Sequence, residues 1–161
     1  MPVPRLVDVP VQVRSNIQYM STTKHRIKRG NSSASLWLID MKSEYICFLK
    51  TKPHKNSRET IGAYIKNNKL NPLGEKGGYN KLIFAKFENH INSATLWHGY
   101  PIDYRENTDY RPSSEYLKYL VKRKSISNAK KKKIQKGLEL WIIQTLRFKV
   151  TIGMYFLIWI I

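Results

Sequence analysis

The sequence predicts an α+β domain: a small, mostly antiparallel sheet in the order β-β-α-β-β-α-α, followed by an apolar C-terminal segment. Three observations lead there. Seven-residue runs rich in aromatic and β-branched side chains recur before residue 100. Gly, Pro and Asn clusters separate those runs. Between Ser113 and Gly137 the pattern changes to serine-capped stretches of helical period.

The composition supports a folded chain. Of 161 residues, 42% are hydrophobic and 12% aromatic, too many for a disordered polycation despite a formal charge of +18. The single cysteine, Cys47, excludes a disulfide framework and a zinc site built on several thiolates, and reads as a small buried hydrophobe. The opening MPVPRLVDVPVQVR holds three prolines and Asp8 without a continuous apolar run, which argues against a secretory signal peptide and for a cytoplasmic, nucleoid or nuclear protein.

Residues 1–34 read as an irregular basic leader that ends in a cationic loop from Lys24 to Arg29, with room for a short Val-rich strand at 6–13. The main α+β unit then spans 35–137. Its first two strands are placed at 35–41 and 44–50, joined through Lys42-Ser43. Ile61, Tyr64 and Ile65 fall at i, i+3, i+4 and predict a short amphipathic helix over 59–66. Gly74, Gly77 and Gly78 mark a loop, after which 79–87 and 94–97 read as neighbouring strands. Ser113 or Ser114 caps a helix with the stripe Tyr116, Leu117, Leu120 and Val121; Ser127 caps a second helix, 128–136, closed by Gly137.

The segment 138–161 is long enough to span a bilayer, but Arg147 and Lys149 would each cost roughly 2.5–3.5 kcal/mol near its centre. Leu146, Phe148, Val150 and Ile152 alternate with polar residues, which favours a core hairpin. The alternative is a tail anchor or a peripheral contact with anionic membrane, flanked by lysines.

Charge is the strongest functional signal. Tyr116 to Gly137 contains Lys118, Lys122, Arg123, Lys124, Lys130, Lys131, Lys132, Lys133 and Lys136, nine cations without an acid in 22 residues. Such a cluster attracts closely spaced phosphates, and the counterions released on binding drive association. A solvated face or a localisation signal is the plainer explanation. The cations at 24–29, with Lys50, Lys52, Lys55 and Arg58, move the balance toward nucleic acid as the partner. A short-linked helix pair also fits a helix-turn-helix, yet only Asn128 and Gln135 suit base edges, so non-specific phosphate contact is expected. Of the aromatics on expected strands, Trp37, Tyr45, Phe84, Phe87 and Trp97, one or two could stack on bases.

A second signal lies at 97–111. There His98 is a candidate general base, Arg105 and Arg111 candidate phosphate clamps, and Asp103 and Asp109 candidates to hold Mg²⁺ or orient His98. Together they would suit an RNA-cleaving enzyme. The same loop also reads as structural, with Pro101 and Pro112 fixing it and its charges paired at the surface. No cofactor other than that Mg²⁺ is indicated, and the histidine spacing matches no structural zinc site.

Overall fold

The computed structural model describes residues 6–27, 34–51, 58–78 and 80–140. They form β1 (Val11–Arg14), β2 (Ile17–Met20), a 3₁₀ turn (Thr23–His25), β3 (Leu36–Trp37), α1 (Met41–Lys50), β4 (Glu59–Lys66), β5 (Lys69–Asn71), β6 (Gly74–Lys76), β7 (Asn80–Leu82), β8 (Phe84–Asn89), β9 (Leu96–Ile102), α2 (Ser114–Lys122) and α3 (Asn128–Gln135). A six-stranded sheet runs β1-β2-β9-β8-β4-β5, and β3-β6-β7 make a smaller one. Every pairing is antiparallel except β2 with β9. The α+β class is therefore as the sequence predicts.

Several local assignments differ: Gly74 opens β6 where a loop is expected, the stretch expected as one strand at 79–87 holds β7 and most of β8, and three larger differences follow. The second expected strand, 44–50, belongs to α1. Asp40 caps that helix by accepting from the Ser43 amide at 2.7 Å, so Lys42-Ser43 is a first helical turn and not a hairpin. Its buried positions, Glu44, Tyr45, Cys47 and Phe48, form one helical stripe. The expected helix at 59–66 is instead β4, the partner of both β8 and β5. A Cβ on Gly62 of β4 would lie 2.8 Å from Thr51 Cγ2 and 2.9 Å from the Phe87 ring, so this glycine admits α1 close to the sheet. Within the leader, β1 and β2 extend the main sheet, and β2 reaches β9 in parallel register.

Side-chain alternation along β8 and β9 then divides the molecule. On one face, Phe87 and Trp97 meet Tyr19 of β2 and Tyr45 and Phe48 of α1 in an aromatic core. On the other, α2 and α3 bring Leu117, Leu120 and Ile134 onto Ala63, Phe84 and Ile102. Both helices match expectation: Ser113 and Ser127 accept from the Tyr116 and Lys130 amides at 3.1 and 3.2 Å, and Gly137 ends α3 with φ +68°. Leu140 packs against this second core. Residues 141–161, and with them the expected alternation and the anchor alternative, lie outside the described residues.

Gly99 of β9 faces the aromatic core, where a Cβ would strike the Phe87 ring and approach Tyr19 Oη at 3.1 Å. Gly99→Ala is expected to cost about 1–3 kcal/mol by overpacking, read as a lower urea midpoint. An unchanged midpoint would contradict this packing.

Candidate functional site

The lysine-rich helices expose their charge because their apolar stripes are packed on the sheet. Lys118, Lys122, Arg123, Lys124, Lys130, Lys132 and Lys136 are exposed, and Lys131 and Lys133 half-buried. Among the described residues, the carboxylate ion pairs engage Arg26, Lys76, Lys81, Lys86 and Arg105, all outside this cluster. Within it, Lys130 has an interaction of its own, and Arg123 lies over the Tyr119 ring at 5.8 Å. Gln135 donates to Ser114 Oγ at 3.3 Å, joining the two helices. Of the other expected cations, Lys28, Arg29, Lys52 and Lys55 lie outside the described residues.

The 97–111 candidates do not form one constellation. Asp103 follows the end of β9, five residues from His98, which at roughly 3.3 Å per residue puts about 16 Å between them. There Arg105 Nε and Nη2 donate to the two Asp103 oxygens at 2.7 and 2.6 Å, and Nη1 reaches Glu139 at 3.3 Å. Burial would push the Asp103 carboxyl up, but these hydrogen bonds and the guanidinium charge outweigh it and hold it below its usual range. Arg111 donates to the carbonyls of Tyr104 and Gln135 at 3.4 and 3.3 Å. Asp109 sits in a short 3₁₀ turn capped by Asn107. Both arginines thus fasten the end of α3 to the sheet. A cavity of about 260 Å³ beside Asp103 and Arg105 is walled by this latch.

His98 belongs to a different neighbourhood. The register pairs Lys86 with Tyr100 and Glu88 with His98, so these four share the sheet face that α2 and α3 cover at its Phe84–Ile102 end. Beyond the helices that face opens into a cleft of about 610 Å³, closed from the leader side by Lys24 and His25 and from the hairpin side by His90. Tyr100 stacks on His25 with ring centroids 5.2 Å apart and lies 6.1 Å from His98, which is 6.0 Å from His90. Two histidines thus flank one tyrosine, and a third, His90, stands against His98.

The electrostatics follow from half-burial. Burial lowers the His98 pKa, Glu88 Oε1 at 3.9 Å from Nε2 opposes that, and His90, His25 and Lys24 add to it. Burial likewise lowers His25, against the hydrogen bond that its Nδ1 makes with the Ser35 carbonyl at 2.8 Å. That bond assigns the proton to Nδ1 and leaves Nε2 with its lone pair. Burial would lower Lys86, but ion pairs with Glu59 at 2.6 Å and Glu88 at 3.2 Å prevail and raise it. Burial, with Glu88 adding to it, pushes the Tyr100 hydroxyl up to about 12. Two buried polar atoms of cleft-lining residues, Thr22 Oγ1 and His98 Nδ1, have no hydrogen-bond partner.

A buried network positions His25. Glu44 of α1 is wholly inaccessible; it accepts from Tyr19 Oη, from Ser21 Oγ at 2.8 Å and from Arg26 Nη2. Arg26 also donates to the Ile39 carbonyl and covers Trp37 at 5.7 Å. Asp8 accepts from the Thr23 amide at 3.0 Å, fixing the start of the 3₁₀ turn that carries Lys24 and His25.

Sequence reasoning missed His25, His90, Glu88, Lys86 and Tyr100 as companions of His98. The available signal was the alternation Lys86-x-Glu88 and His98-x-Tyr100; His25 arrives only through the parallel β2–β9 contact. The five aromatics considered for stacking, Trp37, Tyr45, Phe84, Phe87 and Trp97, are all buried in the two cores. Among the described residues, no group of three or more His, Cys, Asp and Glu is arranged to hold a metal ion, and no helix is long and apolar enough to cross a membrane. Compared with family models, curated proteins and solved structures, the chain matches none.

The lowered histidines give a pH signature. A group whose folded pKa lies below its unfolded value stabilises the fold fully above the unfolded pKa, near 6.5, and loses that contribution as pH falls through the folded one. The stability advantage of the chain over a His25→Gln/His98→Gln variant should therefore shrink between about pH 7.5 and 5, measured by urea unfolding. A difference that is flat or grows toward acid would refute the assignment.

Proposed function

We propose that this chain is a nucleic-acid-binding protein that holds phosphates mainly through the α2–α3 helix pair. One observation supports it above others: nine cations crowd 22 residues, seven of them exposed and two half-buried, on helices whose apolar side chains pack on the sheet. Their repulsion is relieved by small counterions or by a polyanion, and a polyanion gains the entropy of displaced salt. Lysine contacts phosphate as a mobile point charge and reads no base, so binding of this kind tolerates many sequences. Asn128 is exposed at the start of α3, while Gln135 is engaged by Ser114, which leaves little for a base code.

The test is the salt dependence of affinity. Log Kd for a single-stranded oligonucleotide should rise steeply with log salt. Replacing Lys130, Lys131, Lys132 and Lys133 together by Ala should flatten the slope by about 2–3 units, given roughly 0.7 for each phosphate no longer neutralised. None of the four replaced side chains is fully buried and Ala is a strong helix former, so circular dichroism should be nearly unchanged. An unaltered slope would defeat the proposal.

A further inference from the structure

The cleft shares its sheet face with the lysine helices, and it gathers imidazoles beside a cation. We infer that this cleft cleaves single-stranded RNA, with His25 and His98 as the base and the acid of an internal transphosphorylation. The inference rests on the reading that the chain binds nucleic acid, and adds to it a substrate and a reaction.

Four features carry it. First, the cleft, at about 610 Å³, has room for a nucleotide unit. Second, among the residues that line it, His98 Nδ1 and Thr22 Oγ1 are buried polar atoms without a hydrogen-bond partner, so the site is polar and not fully satisfied by the protein itself. Third, two imidazoles flank the Tyr100 ring in unequal surroundings. His25 has its Nδ1 proton held by the Ser35 carbonyl and Lys24 as chain neighbour, both suited to a neutral ring with a free Nε2. His98 has Glu88 Oε1 3.9 Å from Nε2, which partly offsets the lowering that burial and the neighbouring cations impose and can hold a proton at that nitrogen. Fourth, the Arg26–Glu44 network fixes the backbone next to His25.

These groups suffice for a reaction in which the nucleophile is the substrate's own 2′-hydroxyl. His25 Nε2 takes the 2′-hydroxyl proton while O2′ bonds to phosphorus. The bond from phosphorus to O5′ breaks, and O5′ leaves with a proton from His98. The products are a 2′,3′-cyclic phosphate and a 5′-hydroxyl. His25 ends protonated and His98 neutral, and proton exchange with water restores both. Lys24 lies at the cleft to offset the charge that gathers on the phosphoryl oxygens. DNA, without the 2′-hydroxyl, has no nucleophile to offer and is bound but not cut.

The experiment compares the full chain with H25Q and H98Q, purified in parallel, on an end-labelled single-stranded RNA, on the same strand with 2′-O-methyl sugars throughout, and on its DNA counterpart, all in EDTA. The expected result is RNA fragments ending in cyclic phosphate, an intact 2′-O-methyl strand and intact DNA. Each histidine variant should be at least about 100-fold slower, with a far smaller loss of RNA affinity. The 2′-O-methyl arm uses the parent chain alone, so it decides even where a variant folds poorly. RNA retained with steep salt dependence yet left intact would overturn the cleavage and leave the binding proposal standing. Cleavage that survives in both variants, or that cuts the 2′-O-methyl or DNA strand, would also overturn it. RNA that is not retained even at low salt would remove the binding proposal, and this inference with it.

Discussion

The constraint on which the rest of the molecule depends is a carboxylate without water. Glu44 is fully enclosed between α1 and the main sheet, where an uncompensated charge would cost several kcal/mol. Burial raises its pKa, and Arg26, Tyr19 and Ser21 act against that. The three partners come from β2 and the segment that follows it, so the ion pair ties helix, strand and 3₁₀ turn together. An apolar replacement could fill the same volume, but only a directional set of donors fixes Arg26, and with it the neighbouring His25, in one orientation. Removing Arg26 alone would leave Glu44 enclosed with its charge unmatched, a worse state than having neither.

A single sheet face is divided along its strands into two chemistries. At the Phe84–Ile102 end the helices exclude water; at the Glu88–His98 end the face opens into the cleft, and ionisable groups take the same alternating positions. Tyr100 is the boundary, since its ring packs against the helix core on one side and on His25 on the other. Lys86 shows what half-burial demands. It survives as a cation because Glu59 and Glu88 flank it, and Glu88 in turn is shared with His98. The cleft therefore nearly balances its own charge, whereas the helices beside it do not. Under the proposed function, long-range attraction of an anion would belong to the helices, and short-range orientation to the cleft.

Legibility in the sequence followed the range of the deciding interaction. The pair α2–α3 could be read because each signal is local: a serine cap, a stripe of period 3.6, and Gly137 in a left-handed conformation. The exchange of α1 and β4 had a different origin. Glu44 to Lys50 is rich in aromatic and β-branched residues, yet Asp40 nucleates a helix there. Ile61, Tyr64 and Ile65 have helical spacing, but Gly62 and Ala63 are small because α1 and the second core press on either side of β4. Neither pressure is visible within a seven-residue window. His98 is legible by its residue type alone. Its companions are not, because β2 meets β9 only after α1, β4 and β8 have intervened, and nothing local in either strand names the other.

The arginines at 105 and 111 clarify what the surplus of charge means. Acidic residues number 11, and seven of them, Glu44, Glu59, Glu75, Glu88, Asp103, Glu106 and Glu139, are engaged in ion pairs. Arg26, Lys76, Lys81, Lys86 and Arg105 are their partners, and each of those pairs fastens one element to another, closes a hairpin or braces a turn. Arg111 plays a comparable part on backbone carbonyls. Most acid in the protein is thus committed where it locks the fold, and most of the α2–α3 cations stand apart from it. If solubility alone were being served, cations could be spread among those acids at no structural loss. Their concentration on two adjoining helices instead raises self-repulsion, a penalty that phosphate charge arriving from outside would offset.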